Sequence, residues 1–341
     1  MPGQGSCGTE AKRKEFLVGA FRQQIGDTPL SVSVYSVEKA PTKINENGTL
    51  EIIFCLKGSV RFSYAYEEFT LHAGEYISVD RDAYYLYDGK DNMCVSFYFD
   101  LTRYEDKYPF IRNNLFVCEG FAESDMPFPT AEHQQLKGML IAMLRFISEK
   151  NENSGNNEKG GTGENGGFAK IEETTGRIVD LFINHFDIFF FHAGELPGRD
   201  NTDTLERLHE VNDYMYKHMK EKITVGDLAA HMNFTEGYMS EYLRKISVGF
   251  RSMLSYIRAS ISERLLLQTD KTILEISEEV GFSDVKYYYS AFRKWYNCTP
   301  RQFREQYGRA SEEKLVYYRL SDISGLIDET MKTHYMETYM G

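Results

Sequence analysis

The chain has 341 residues, 42% hydrophobic and 14% aromatic, with 39 Lys plus Arg against 51 Asp plus Glu for a formal charge of -12. That length implies two domains with separate cores, and the apolar content excludes wholesale disorder, a collagen-like chain and a small disulfide-stapled scaffold. The five cysteines, Cys7, Cys55, Cys94, Cys118 and Cys298, are odd in number and never form a Cys-x-x-Cys pair, so neither a disulfide framework nor a zinc site is indicated.

Residues 1–16 carry Lys12, Arg13 and Lys14 with no apolar stretch behind them. No run approaches the ~18 apolar residues of a membrane span. A cytoplasmic protein without membrane partners is expected. Residues 30–100 are dense in β-branched and aromatic side chains, with turn signals at Asn47-Gly48, Lys57-Gly58, Ala73-Gly74 and Asp88-Gly89. Short strands at that spacing predict an antiparallel sandwich or barrel. Val60, Phe62, Tyr64 and Tyr66 alternate onto one face. A barrel of this size can enclose one small ligand, and Tyr64, Tyr66, Tyr76 and Tyr85 are the candidate lining, each an apolar body with a hydroxyl; packing a core is the equally weighted alternative. A metal enzyme would need clustered His and Glu. His72 is the only histidine between residues 30 and 100, so no metal, cofactor or catalytic residue is assigned. Cys55 and Cys94 read as small buried hydrophobes.

Leu136, Met139, Leu140, Met143, Leu144 and Ile147 recur at three and four, predicting an amphipathic helix over 131–150, and the same spacing recurs over 168–192. Between them, 151–167 is rich in Gly, Asn and Glu and is expected to be a disordered insertion. From about residue 204 to 307 everything reads as helix. Thr224-x-x-Asp227, Thr272-x-x-Glu275 and Thr299-Pro300-x-Gln302 each place a hydroxyl at an N-cap and an acceptor three residues on, a cap contributing about 1 kcal/mol.

Residues 224–229 and 272–277 align, and the duplication continues through Met232-Asn233-Phe234-Thr235 and Val280-Gly281-Phe282-Ser283. Each unit is a capped helix, a turn at Asn233 or Gly281 and a second helix expected to start from Thr235 or Ser283, with Ala229 or Ser277 small enough for a close crossing. That is a helix-turn-helix, present twice. Residues 250–268 join the units with a helical apolar stripe. A ~16-residue helix spans about 24 Å, which would set the second helices ~34 Å apart, one turn of duplex, on one side. Charge agrees: residues 204–310 sum to about +2, while the segments before and after sum to about -11 and -3. A helical adaptor without DNA is the bland alternative.

Asp227-Leu228-Ala229, Tyr238-Met239-Ser240, 278–284, Phe292-Arg293-Lys294 and Thr299-Pro300-x-x-Phe303-Arg304 resemble the DNA-binding domain of the AraC/XylS family of transcription regulators. Departures are Ser262 for the usual Ala, Asn297 for the usual Gly and Val248 for Gly. Residues 71–77 resemble the turn-and-strand stretch of the metal-free cupin-like sensor domains of the same family. The resemblance implies a multi-domain protein with an N-terminal cupin-like antiparallel β-barrel (1–130), a helical dimerisation and linker region (131–203) and an all-α tandem helix-turn-helix domain (204–310); outside the family domain, in a tail (311–341), the spacing of Ile323, Leu326, Ile327 and Met331 predicts a short helix. It implies base reading by Glu236, Gly237, Ser240 and Glu241 in the first unit and Val285, Lys286, Tyr289 and Ser290 in the second. Arg244, Lys245, Arg293 and Lys294 fall to phosphate contact. Double-stranded DNA, a small-molecule effector, a second copy and RNA polymerase are the implied partners. A cupin-type metal enzyme with a helical adaptor, or a constitutive regulator under a protein partner, are the alternatives.

Overall fold

The computed structural model describes residues 22–40, 43, 45–46, 48–64, 67–80, 84–121, 130–154, 164–186, 202–246, 248–308 and 314–340. Eight strands form one antiparallel sheet: β1 (Gln23–Gln24), β2 (Leu30–Lys39), β3 (Thr49–Tyr64), β4 (Glu67–His72), β5 (Tyr76–Val79), β6 (Tyr84–Asp100), β7 (Glu119–Gly120) and β8 (Lys314–Tyr318). The order is β1-β2-β6-β3-β5-β7, with β4 on β3 and β8 on β2.

Two of the expected turns are not turns. Lys57-Gly58 lies inside the 16-residue β3, and Asp88-Gly89 lies inside the 17-residue β6. The two strands pair along their whole length, with register shifts between Cys55 and Lys57, Lys57 and Ser59, and Val60 and Arg61. Gly58 has a φ of 67°, so it supplies the left-handed residue of a bulge rather than a chain reversal. Opposite it, Asn92 stands in for a ladder residue: its Oδ1 accepts from the Val37 N–H and its Nδ2 donates to the Val37 carbonyl, both at 2.8 Å. The bulges fold the sheet over. Ile53 and Cys55 before them share an enclosed cluster with Val60, Phe62 and Leu71 beyond them.

The other face of the sheet, Val32, Val34, Leu50, Ile52, Phe54, Val95, Phe97 and Phe99, is covered by helices α1 (Ala131–Ser154) and α2 (Glu164–His185). Their apolar stripes are those the three-and-four spacing picks out, with Leu136, Leu140, Met143, Ile171 and Ile178 almost fully buried. The helices run into the segment expected to be a loop, reaching Ser154 and restarting at Glu164. Residues 155–163 and the apolar Ile188 to Phe191 lie outside the described residues. Lys217 ends α3 (Thr202–Lys217), and the helices α4 (Val225–His231), α5 (Glu236–Ile246), α6 (Phe250–Gln268), α7 (Ile273–Glu279), α8 (Val285–Tyr296) and α9 (Pro300–Tyr307) follow.

The tail holds more than a short helix. β8 adds to the edge of β2, and the 3-10 turn Leu320–Ile323 and α10 (Ser324–Met340) then lie on α1, burying Leu320, Ile323 and Ile327 in the sheet–helix core. Residues 314–340 thus return from the helical half to the sheet half. Among the described residues no helix is long and apolar enough to cross a membrane.

Candidate nucleic-acid interface

Local chemistry builds each helix-turn-helix. Thr224, Thr272 and Thr299 each accept from the N–H three residues on, while Asp227, Glu275 and Gln302 accept from the cap N–H, completing three capping boxes. The second helix of the second unit starts from Asp284, not Ser283: its carboxylate accepts from the Lys286 N–H at 2.8 Å. That N–H bond holds the Asp284 carboxyl below the ordinary range. In the first unit Thr235 plays the part, accepting from the Tyr238 N–H. The second turn is one residue longer, so Met239 corresponds to Tyr288, both 0% exposed.

The packing of one unit repeats in the next. The Arg258 guanidinium donates to the carbonyls of Met219 and Glu221, and that of Arg304 to those of Leu266 and Lys271. Each arginine sits on the helix after its unit and clamps the chain leaving the helix before it. Helix α6, 19 residues and about 28 Å long, therefore closes the first unit and opens the second. It also holds α8: Tyr288 donates to Ser262 Oγ at 2.9 Å, Trp295 Nε1 to Ser255 Oγ at 3.0 Å, and Tyr296 to the buried Glu263. Ser262, a departure from the resembled pattern, is thus the acceptor that a buried tyrosine needs. These arginines and serines carry no signal in one sequence, because the carbonyls they satisfy are distant in the chain.

The expected base-reading side chains all lie clear of the core. Glu236, Gly237, Ser240, Glu241, Lys286 and Ser290 are exposed, and Val285 and Tyr289 are half-exposed. Arg244, Lys245, Arg293 and Lys294 are exposed at the ends of the same two helices. Local pairs trim the charges. Lys245 bridges Glu241 at 3.1 Å, Lys286 lies 3.4 Å from Asp284, and Lys294 donates to Ser252 and sits over the Trp295 ring. The Lys245 bond holds the Glu241 carboxyl low, so that residue stays an acceptor.

The four tyrosines expected to line a pocket do not come together. Tyr76 is on the opposite face, stacked on Phe54 and donating to the His133 carbonyl at 2.9 Å, because its strand position is odd relative to the enclosed cluster. Tyr64 is half-buried at the rim of that cluster. Tyr66, and the side chain of Tyr85, lie outside what is described. The enclosed face instead holds a polar network. Glu51, 0% exposed, meets Lys43 at 3.0 Å and accepts from Tyr84 at 2.8 Å, and Lys43 donates to Tyr98 at 2.7 Å. Burial alone would push the Glu51 carboxyl up; Lys43 and the hydroxyl donors overcome it and hold it below the ordinary range. Beside this network opens a cleft of about 410 Å³ with polar walls, among them Arg22, Gln24, Ser31, Thr49, Tyr98 and Arg103. Among the described residues no three His, Cys, Asp or Glu side chains are grouped to hold a metal.

Several contacts tie the helical half to the sheet half. Ser63 meets Tyr307, Asn297 Nδ2 donates to Glu67 at 2.6 Å, and Arg264 donates to the Asn45 carbonyl. On the other side His209 of α3 stacks on Phe110 at 4.2 Å and bonds Asn114 at 3.0 Å.

A helix-turn-helix domain model matches residues 228–306. The regulatory protein PocR of Salmonella typhimurium is 29% identical over 94 residues, 27% of this chain and 31% of its own length. The Msm operon regulatory protein of Streptococcus mutans is 26% identical over 107 residues, 31% of this chain and 38% of its own length. The chain thus spans about a third of the length of these curated relatives. Among solved structures, ToxT from Vibrio cholerae O395 is similar at 15% identity and a TM-score of 0.41, over 83% of this chain and 99% of that one.

Proposed function

We infer that this chain, whose residues 228–306 form an AraC-type helix-turn-helix domain, is a sequence-specific DNA-binding transcription regulator and not an enzyme. One observation carries the reading: two second helices, α5 and α8, both with uncovered outer faces, are fixed to a single connecting helix, α5 through the apolar cluster of Met239 and Leu243 with Met253 and Leu254, and α8 through the hydrogen bonds of Tyr288 and Trp295. Two rigidly joined reading helices fit successive major grooves. Glu236, Gly237, Ser240, Glu241, Val285, Lys286, Tyr289 and Ser290 read bases, Lys286 as a donor to guanine and Val285 against a thymine methyl. Arg244, Lys245, Arg293 and Lys294 take phosphates, with the capped helix starts at Thr224 and Thr272 assisting.

The sheet half, cupin-like by its curled antiparallel strands, receives a small polar effector in the cleft beside Tyr98 rather than in a tyrosine pocket. Helices α1 and α2 serve a homodimer, and the exposed helical half reaches RNA polymerase. A switch of this kind requires the effector to bind two arrangements of the halves unequally.

The test is titration of the full chain onto DNA upstream of its own gene at several salt concentrations, followed by footprinting. A protein neutralising several phosphates loses affinity steeply with salt and protects two half-sites about ten base pairs apart. Binding that ignores salt, or no complex at low ionic strength, rejects the reading. Stoichiometric iron, manganese or zinc in the purified protein would favour the metal-enzyme alternative.

A further inference from the structure

Cys55 on β3 and Cys94 on β6 are direct partners in the ladder. The Cys55 N–H donates to the Glu75 carbonyl at 2.9 Å, and its carbonyl accepts from the Gly74 N–H at 2.8 Å. Both main-chain groups of one strand residue point to the same edge. Cys55 therefore uses both on the β5 side and makes no main-chain bond to Cys94. The rung is a non-hydrogen-bonded pair, in which Cα atoms lie roughly 4.5 Å apart and side chains are closest. A disulfide spans Cα atoms about 4.4–6.8 Å apart. Both residues are 0% exposed and belong to the enclosed cluster of the sheet. Cys55 Sγ also donates to the Lys57 carbonyl at 3.4 Å.

We propose that Cys55 and Cys94 are a redox-responsive dithiol that closes into a cross-strand disulfide on reaction with a small hydroperoxide. One thiolate attacks the peroxide oxygen, giving a sulfenic acid and releasing the other oxygen as an alcohol, or as water when the oxidant is hydrogen peroxide. The second sulfur then displaces that hydroxyl, which leaves with the thiol proton as water. Two S–H bonds are replaced by one S–S bond, the sulfurs lose two electrons, and the O–O bond takes them. The resolving thiol is on the direct cross-strand neighbour, so the sulfenic acid is captured before further oxidation. The neighbouring Cys55 thiol and burial push the Cys94 thiol well above its ordinary value, so the reaction is slow at neutral pH and quickens as pH rises.

The rung has a mechanical position. Directly beyond Cys55 come the register shifts that bend β3, and the bent half carries Ser63 to Tyr307 and, through β4, Glu67 to Asn297. A covalent rung at the base of that hairpin fixes its hold on the second helix-turn-helix unit. This consequence rests on the DNA-binding reading; the thiol chemistry does not.

The test treats the reduced full chain with hydrogen peroxide, then unfolds it, alkylates it and weighs it. Expected are a loss of about 2 Da, protection of two thiols, and a single cross-linked peptide pair containing residues 55 and 94. The Cys55→Ala and Cys94→Ala variants should show neither, while Cys118→Ala should react as the parent does; circular dichroism confirms folding. Five alkylatable thiols after treatment, oxidation of each sulfur singly, or a cross-link to any other cysteine overturns the proposal. Operator affinity should fall severalfold on oxidation, recover with dithiothreitol and stay constant in Cys94→Ala. A disulfide that forms with affinity unchanged overturns the mechanical consequence. Absence of DNA binding in both states counts against the regulator reading, and the mass result still decides the chemistry.

Discussion

Ser63 of β3 and Tyr307, the last residue of α9, meet hydroxyl to hydroxyl at 2.8 Å in a buried contact 244 residues apart in sequence. The bond joins the edge of the curled sheet to the end of the helical half. Tyr307 is 2% exposed and Ser63 is 0% exposed, so neither hydroxyl has water as an alternative partner.

Removing one of these hydroxyls should therefore cost more than removing both. We expect Tyr307→Phe to destabilise the full chain by about 1–2 kcal/mol, since it leaves the Ser63 hydroxyl buried without that partner. The Ser63→Ala, Tyr307→Phe double variant should be closer to the parent than the two single costs would add to. Chemical denaturation of the four proteins reads the coupling. Strict additivity would mean the two hydroxyls do not interact.

The two turn residues that the sequence pairs, Asn233 and Gly281, should respond oppositely to substitution. Both have positive φ, 58° and 90°. A Cβ on Gly281 would lie 2.5 Å from the Met219 carbonyl oxygen and 2.9 Å from Lys220 Cα, where backbone cannot give way. Asn233 is exposed. Gly281→Ala should cost more than about 2 kcal/mol from combined strain and overlap, and Asn233→Gly should change stability by only a few tenths. Because Gly281 seats the second unit on the chain leaving α3, Gly281→Ala should also weaken operator binding. Thermal unfolding and a binding titration separate the two effects.

The contrast shows how far one sequence reaches. The helix starts at Thr224, Thr272 and Thr299, the stripes of α1, α2 and α6, and the repeated unit are all local patterns, and the structure has them where the spacing puts them. Tyr76 and Tyr64 fall on opposite faces of the sheet, a difference set by strand register and not by the spacing of the tyrosines along the chain. Ser283 aligns with the cap Thr235, but a one-residue insertion that only the N–H of Lys286 discloses moves the cap to Asp284. Asn297 looked like a mild departure from Gly. It keeps the left-handed φ of 53° that Gly would supply, and adds a side chain that reaches Glu67. The return of β8 to β2 had no local signature, since edge pairing is decided by a strand 280 residues earlier.

Acid should destabilise the chain through His209. Burial lowers its pKa from 6.5 to about 4, against Phe110 and beside Asn114. Between those pH values the unfolded chain binds a proton that the folded chain refuses. Stability from this residue is complete above pH 6.5, falls as pH drops, and levels off below about 4, a loss of roughly 3 kcal/mol. His133, also lowered to about 4 by burial, adds to it. In His209→Gln that share of the pH slope should vanish, so the gap in unfolding free energy between parent and variant narrows from pH 7 to pH 4.5. Parallel curves would show that His209 is not held neutral.

Residues proposed to read bases and to hold phosphates on the same helix should fail differently. Lys286 and Arg293 are both exposed on α8, near its start and near its end. Lys286 is held by Asp284 at 3.4 Å and lies 4.9 Å over the Tyr287 ring, which steadies its ammonium beside the helix start. If it donates to guanine, Lys286→Ala should lose about 1–3 kcal/mol on the preferred site and little on others, so the preference at one base pair relaxes. Arg293→Ala should weaken binding to all sequences alike and reduce the slope of log affinity against log salt by about 1. Competition with a set of singly altered operators at two salt concentrations resolves the two patterns. A uniform loss for Lys286→Ala would move it from the base-reading set to the phosphate set and leave Val285, Tyr289 and Ser290 as the readers in the second unit.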